Sequence, residues 1–401
     1  RLPEKPGSIL VEGQGHNIGF DYKSYDYDYT TYDQEINQNR GLEVGQGRTL
    51  GLVGGDISLR GGKLTSEGGR VELGSVQSGV VGIMKDRTLS YDQNLKFGPI
   101  ILYEASLIDV SGNRGGEFQI QGEEIKVQGS SIIRGQTLGD EDGGTSIIKA
   151  SESIKVESTK FREKIPLTSK DKDIPSGIIV TTDGEGDAGN LTISARDIEL
   201  RNSFFWTEVL RGGKGKAGNL TVEVAESLTL QDGAQISTAT LGLGNAGDLK
   251  VSARNIEIDS NAVMSADTHA DGDGGNLTVE AESLTLQDKA KIWADVLGKG
   301  NGGNLTVKVA ESLTLQDEAY MSAETYADGD AGNLTVSARN IEMSGKSALF
   351  GETRGKGNGG NLMVEVAESL TLQDRAMIST TAYGDGDAGN ITISARDIEI
   401  I

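Results

Sequence analysis

The 401-residue chain has no cysteine, only five prolines and two histidines, and few aromatic residues. Without cysteine there is no disulfide scaffold, no thiolate nucleophile and no zinc knuckle, so an exported form must be held by packing alone. His16 and His269 leave little room for imidazole chemistry. No run of about 18 apolar residues occurs, so no transmembrane helix is expected. Positive charge is also scarce: 38 Lys and Arg against 60 Asp and Glu give a net charge of −22. That balance argues against nucleic acid, whose phosphates need Lys/Arg stripes, and against anionic membrane surfaces. The chain starts at Arg1 with no basic-then-apolar leader and stops at Ile401 inside an apolar run. It therefore reads as a segment of a longer protein, and a missing signal peptide says nothing about export.

What is abundant is glycine, 57 residues, about twice the usual ~7 %. Its placement is periodic. The step Gly-Asn, once Gly-Asp, recurs at Asn190, Asn219, Asp248, Asn276, Asn304, Asn333, Asn361 and Asn390, at intervals of 28 or 29 residues. Each unit reads as three short strands and a Gly-rich turn, as in GNLTVEVA, ESLTLQDGA and QISTATLGLGNA between Gly218 and Ala246. Leu220, Val222 and Val224 alternate with Thr221 and Glu223, the period of a half-buried strand. Aligned units give apolar columns, such as Leu228, Ile256, Leu284, Leu313, Ile341, Leu370 and Ile398. Another column runs Ile236, Met264, Ile292, Met321 and Ile378. A helical reading of 281–296 is opposed by the Thr/Val/Ile alternation and by the Gly tract in every unit. The pattern therefore predicts an all-β, parallel β-solenoid of about 28–29 residues per turn, stacked at the ~4.8 Å of a β-ladder. Its narrow core needs few inward residues, which accounts for an apolar content of only 36 %. Glycine is expected at corners that need φ > 0 and where stacked backbones come close.

Two turn subtypes alternate imperfectly, one with Arg (Arg196, Arg254, Arg339, Arg396) and one with Ala-Glu-Ser-Leu-Thr-Leu, which would bring unlike charges together on the outside. Three regions follow: 1–111, with shorter Gly-Gly-divided units and a Tyr/Asp insert at 21–40; 112–188, with a loop leaving one corner near 158–182; and 189–401, the regular repeats.

The run Gly41–Val76, with LVGGD at 52–56 and GGRVELGSV at 68–76, together with the Gly-Asn-Leu-Thr repeats, resembles the filamentous-haemagglutinin-like exoproteins of two-partner secretion systems in their cyanobacterial form. The resemblance covers nearly the whole chain. It implies a right-handed parallel β-helix outside the cell or at its outer-membrane surface, serving adhesion, aggregation or surface structure. It further implies an outer-membrane transporter as partner, recognising a secretion domain upstream of Arg1, and neighbouring or host cell surfaces or extracellular glycans as targets. The Asn-Pro-containing motifs of that secretion domain are absent, so transporter recognition maps onto no residue here.

The regular Asn190, Asn219, Asn276, Asn304, Asn333, Asn361 and Asn390 read as a stacked amide ladder. The Gly/Asp turns offer Ca²⁺ candidates at Asp271, Asp273, Asp328, Asp330, Asp385 and Asp387, set against a reading as solvated turns. Tyr25, Tyr27 and Tyr29, with Tyr22 and Tyr32, read either as stacking faces for a partner or as a disordered acidic loop. Phe204, Phe205 and Trp206 read as a core plug or an exposed contact. Parallel β-helices also include polysaccharide lyases and glycosidases, but the uninterrupted repeat shows no paired-carboxylate constellation. The chain is expected to be non-catalytic and to use no cofactor.

Overall fold

The computed structural model describes residues 6–16, 18–21, 26–28, 41–85, 87–92, 95–158, 175–326 and 328–401. Every regular element among them is a strand. Apart from two short hairpins, the strands stack coil upon coil into two sheets that share one core, with parallel strand pairing from coil to coil. The chain is thus an all-β parallel solenoid.

From Glu117 to Ser379 each coil contributes one long strand and one short one; before that the long strand is in two pieces, Thr49–Gly54 with Ile57–Arg60 and Arg70–Ser78 with Ile100–Tyr103. The short-strand sheet has 12 members, by which the coils are numbered from the N-terminus. Coils 1 to 6 contain Leu42–Val44, Lys63–Ser66, Leu107–Asp109, Ile132–Thr137, Gly177–Thr182 and Phe204–Val209. Coils 7 to 12 contain Gln235–Ser237, Val263–Ser265, Lys291–Trp293, Tyr320–Ser322, Ala348–Phe350 and Met377–Ser379.

The sequence suggested three strands per unit, and the structure has two. GNLTVEVA and ESLTLQ fuse into the single strand Leu220–Gln231, because the inward alternation resumes at Leu228 after a bulge at mid-strand. That bulge also absorbs the uneven period. Leu220 to Leu228 spans eight residues and Leu249 to Ile256 only seven, yet both ends pair in register. Val-Ala-Glu-Ser coils carry the additional residue and bury Val224, Val309 or Val366 beside it. The columns become continuous lines in the core, with Leu220, Leu277, Leu284, Leu313, Met264 and Met321 fully buried. Leu349, buried in the same core, completes the fifth column between Met321 and Ile378.

The corner from long to short strand is a two-residue left-handed turn, as at Asp288-Lys289 (φ 50° and 65°) and Asp374-Arg375 (φ 53° and 66°). It is closed by bonds such as Ala290 N–H to the Gln287 carbonyl at 3.0 Å, the pattern of a type I′ turn. These positions hold mostly Asp, Asn, Lys, Glu or Arg, so positive φ is not the main use of glycine. The glycines instead form two stacked columns in the turn that returns to the long strand. A Cβ on Gly218, Gly247, Gly275, Gly303 or Gly332 would fall inside contact distance of the carbonyl oxygen of the equivalent glycine one coil earlier. Of the two roles expected for glycine, close backbone approach dominates.

Three excursions interrupt the coils. Two leave from the same left-handed corner, between Ile9–Glu12 and Leu42–Val44 and between Ser146–Glu157 and Gly177–Thr182. The second is shorter than the expected 158–182, because Gly177–Thr182 is already a buried strand in register with Ile132–Thr137; residues 159–174 lie outside the described set. The third leaves between the halves of the long strand of coil 3. Arg70–Gly74 pair with Glu117–Gln121 and Ile100–Leu102 with Ile125–Val127, while Val81–Ile83 and Leu89–Tyr91 between them form an antiparallel hairpin. The N-terminal coil is also shorter, since Thr49 pairs with Arg70, whereas later coils repeat every 28–29 residues.

Candidate functional site

The asparagine column is a hydrogen-bonded ladder. Oδ1 of Asn190 accepts the backbone N–H of Asn219 at 2.8 Å, and Oδ1 of Asn276 accepts both the backbone N–H and Nδ2 of Asn304, at 3.2 and 3.1 Å. The same bonds continue through Asn333, Asn361 and Asn390, with Asp248 taking one rung. These amides are engaged with the coils on either side, which gives them a structural part.

The Ca²⁺ candidates lie in two further columns. Asp273, Asn301, Asp330, Asn358 and Asp387 form a second ladder, in which Asp273 Oδ1 accepts the Asn301 N–H at 2.9 Å and Asp330 Oδ1 that of Asn358 at 2.7 Å. The carboxylates occupy every other rung, so neighbouring acids are roughly 10 Å apart, twice the ladder spacing. In the parallel column Asp271, Asp328 and Asp385 alternate with Lys299 and Lys356, and Asp271 Oδ1 accepts the Lys299 backbone N–H at 3.3 Å. Among the described residues no three acidic or imidazole side chains converge as a metal-ligand set.

Tyr25 and Tyr29 lie outside the described residues, as do Tyr22 and Tyr32. Tyr27 belongs to a short strand, Asp26–Asp28, paired antiparallel with Gly19–Asp21. The Phe-Phe-Trp run divides between the two faces of its strand. Phe205 points into the main core, whereas Phe204 and Trp206 stack at 4.0 Å between ring centroids in a separate cluster with Ile18, Leu107, Ile132 and Ile179. All three are buried, so none is an exposed contact. Beside this patch, on the same face of the strands, Arg134 and Asp109 form a buried ion pair at 2.9 Å.

Farther along the rod the same outer face of the short-strand sheet is acidic. Asp267, Asp295, Glu324 and Glu352 occupy equivalent positions in coils 8, 9, 10 and 11, each just before the bridging residues Thr268, Val296, Thr325 and Thr353. They alternate with the inward Ala266, Ala294 and Ala323 and stack about one ladder spacing apart. All four carboxyls are at most 5 % exposed. Each is oriented by a neighbour: Asp295 accepts the Glu324 N–H at 2.8 Å and the Ser322 hydroxyl at 3.0 Å, and Glu352 accepts the Ser379 hydroxyl at 3.2 Å. Asp267 lies 2.5 Å from Nε2 of His269, which raises the imidazole pKa. Burial, reinforced by the charge of Glu324, pushes the Asp295 carboxyl up to about 8, and burial likewise raises Glu324. Like charge stacked this closely adds to both shifts, from Glu324 on Asp295 and from Glu352 on Glu324.

Aromatic side chains border the row on both sides. On one side Trp293, Tyr320 and Phe350 follow one another at 6.1 and 6.2 Å between centroids, with the Lys291 ammonium 5.2 Å from the Trp293 ring. On the other, the Arg354 guanidinium lies 4.7 Å from the Tyr326 ring and 5.8 Å from Tyr383. The periodicity that identified the core columns passes over this set, because its residue types change from coil to coil. A signal was nevertheless present: an acid stands three residues after Met264, Ile292 and Met321 in the fifth column.

Compared with known proteins, the chain matches no family model, and neither a curated protein nor a solved structure gives a significant match.

Proposed function

We propose that this chain is part of a secreted, non-catalytic surface stalk of the filamentous-haemagglutinin-like kind, exported through a two-partner outer-membrane transporter and used for adhesion or aggregation. The repeat sequence supports the kinship through the Gly-Asn-Leu-Thr coils. The observation that carries the adhesive part is the division of labour within a coil. Ladders and core columns consume most of its side chains, and the outer face of the short strand is left to present aromatic side chains along the rod. Beads coated with the purified chain should bind cells, extracellular polysaccharide or one another. Failure on all three would overturn the adhesive reading.

One observation favours a carbohydrate-active enzyme as a second reading: Asp295 and Glu324 are neighbouring buried carboxyls with raised pKa. Release of new reducing ends from polysaccharide, abolished by Glu324→Gln, would establish it.

A further inference from the structure

The outer face of the short-strand sheet changes character along the rod. In coils 3 to 6 it carries an apolar patch, in which Ile18 packs with Leu107, Ile132, Ile179, Phe204 and Trp206. In coils 9 to 12 the rings are partly exposed, Tyr326 at 40 % and Tyr383 at 64 %. The carboxyl row runs between them, parallel to the rod axis.

We propose that this aromatic-walled trough binds a linear, uncharged polysaccharide lying along the rod axis. The inference builds on the adhesive reading and gives the adhesive surface its partner. Three features select this occupant. The first is periodicity. The rings of each bank recur in every second coil, Trp293 with Phe350 and Tyr326 with Tyr383, about 10 Å apart and close to two sugar units of an extended chain, so alternate sugars meet equivalent positions. The second is chemistry. A pyranose presents C–H faces, which suit rings such as Trp293, Phe350 and Tyr326, and a rim of hydroxyls, which suits the Lys291 ammonium and Arg354 guanidinium beside those rings. The third is charge. An anionic polymer meets a chain of net charge −22 and a row of acids. A polycation meets Lys291 and Arg354 on the two banks. A neutral polyol meets neither barrier.

The test uses the full chain and titration calorimetry with cellohexaose and mannohexaose as neutral probes, a chitosan hexamer as the cationic probe and hexagalacturonate as the acidic one. The informative variant is Trp293→Ser with Phe350→Ser, because Ser265, Ser322 and Ser379 already stand at that position in neighbouring coils. At least one neutral hexamer should bind with little dependence on salt. The double variant should weaken it by about tenfold or more, as expected for central aromatic anchors. Tyr326→Ala, at an exposed ring, should weaken it severalfold and serves if the double variant does not fold. Met363→Ala, on the outer face of the long-strand sheet, should leave it unchanged. No binding of either neutral hexamer, binding indifferent to both trough variants, or preference for the chitosan or galacturonate hexamer would each overturn the proposal. If the rod holds cells and the trough variants hold them equally well, the trough assignment fails while adhesion stands. If the trough binds a neutral hexamer but the rod ignores cells, polysaccharide and itself, the trough stands and its adhesive use fails.

Discussion

The two sheets of this solenoid differ in what they allow to vary. In the long strands of coils 7 to 12 one core position is leucine throughout: Leu220, Leu249, Leu277, Leu305, Leu334 and Leu362. At one outward position of the short strands the same coils carry Ser237, Ser265, Trp293, Ser322, Phe350 and Ser379. A parallel stack makes each residue the neighbour of its equivalents above and below, so a core column must keep its volume from coil to coil. An outward position carries no such demand. Shape is therefore written in the long strand and in the glycine turn, and chemistry in the outer positions of the short strand.

Substitutions that respect or violate this division should separate cleanly. The largest effect is expected for Gly303→Ala, where the added methyl meets the Gly275 carbonyl and only backbone could yield; a loss of about 4 kcal/mol or more in denaturant unfolding is expected. Gly233→Ala is the counterpart, with φ of 75° and open space around it. It should cost about 1–2 kcal/mol, the price of the left-handed conformation alone. Leu284→Ala, in the core column, should cost about 3 kcal/mol by the same measurement.

The acidic row gives a pH dependence of definite sign. The folded-state pKa of Asp295 is raised from 3.8 to about 8, so the folded chain holds a proton that the unfolded chain has released. This contribution is fully present below about 4 and is lost as pH rises towards 8. The thermal midpoint should fall over that window. Asp295→Asn should flatten the fall, and an unchanged slope would show that Asp295 does not carry it. The smallest effects belong to the exposed ladder. Asn304→Ala should cost about 1 kcal/mol, while Asn304→Asp, which keeps the oxygen that accepts from Asn333 as Asp248 does for Asn276, should cost less than about 0.5 kcal/mol.

The fold was legible in the sequence because stacking turns repetition into contact: the columns led by Leu220 and Leu228 and the asparagine ladder needed only an alignment of the chain with itself. Two details escaped it. A bulge does not interrupt apolar alternation in a way that distinguishes one bent strand from two, and Asp288-Lys289 shows that a left-handed corner need not contain glycine. The acidic row was hidden for a different reason. Ala239, Asp267, Asp295, Glu324, Glu352 and Thr381 share one position but not one residue type, and the adjacent aromatics come from three different offsets. Such a site becomes visible only when the coils are set side by side.

The division between the sheets is tested most directly by the unfolding free energy of the Trp293→Ser, Phe350→Ser variant. Both substitutions install the residue that neighbouring coils already carry, so stability should change by less than about 1 kcal/mol. A loss as large as that of Leu284→Ala would mean that the outer face holds the rod together and would contradict the assignment of shape and chemistry to separate sheets.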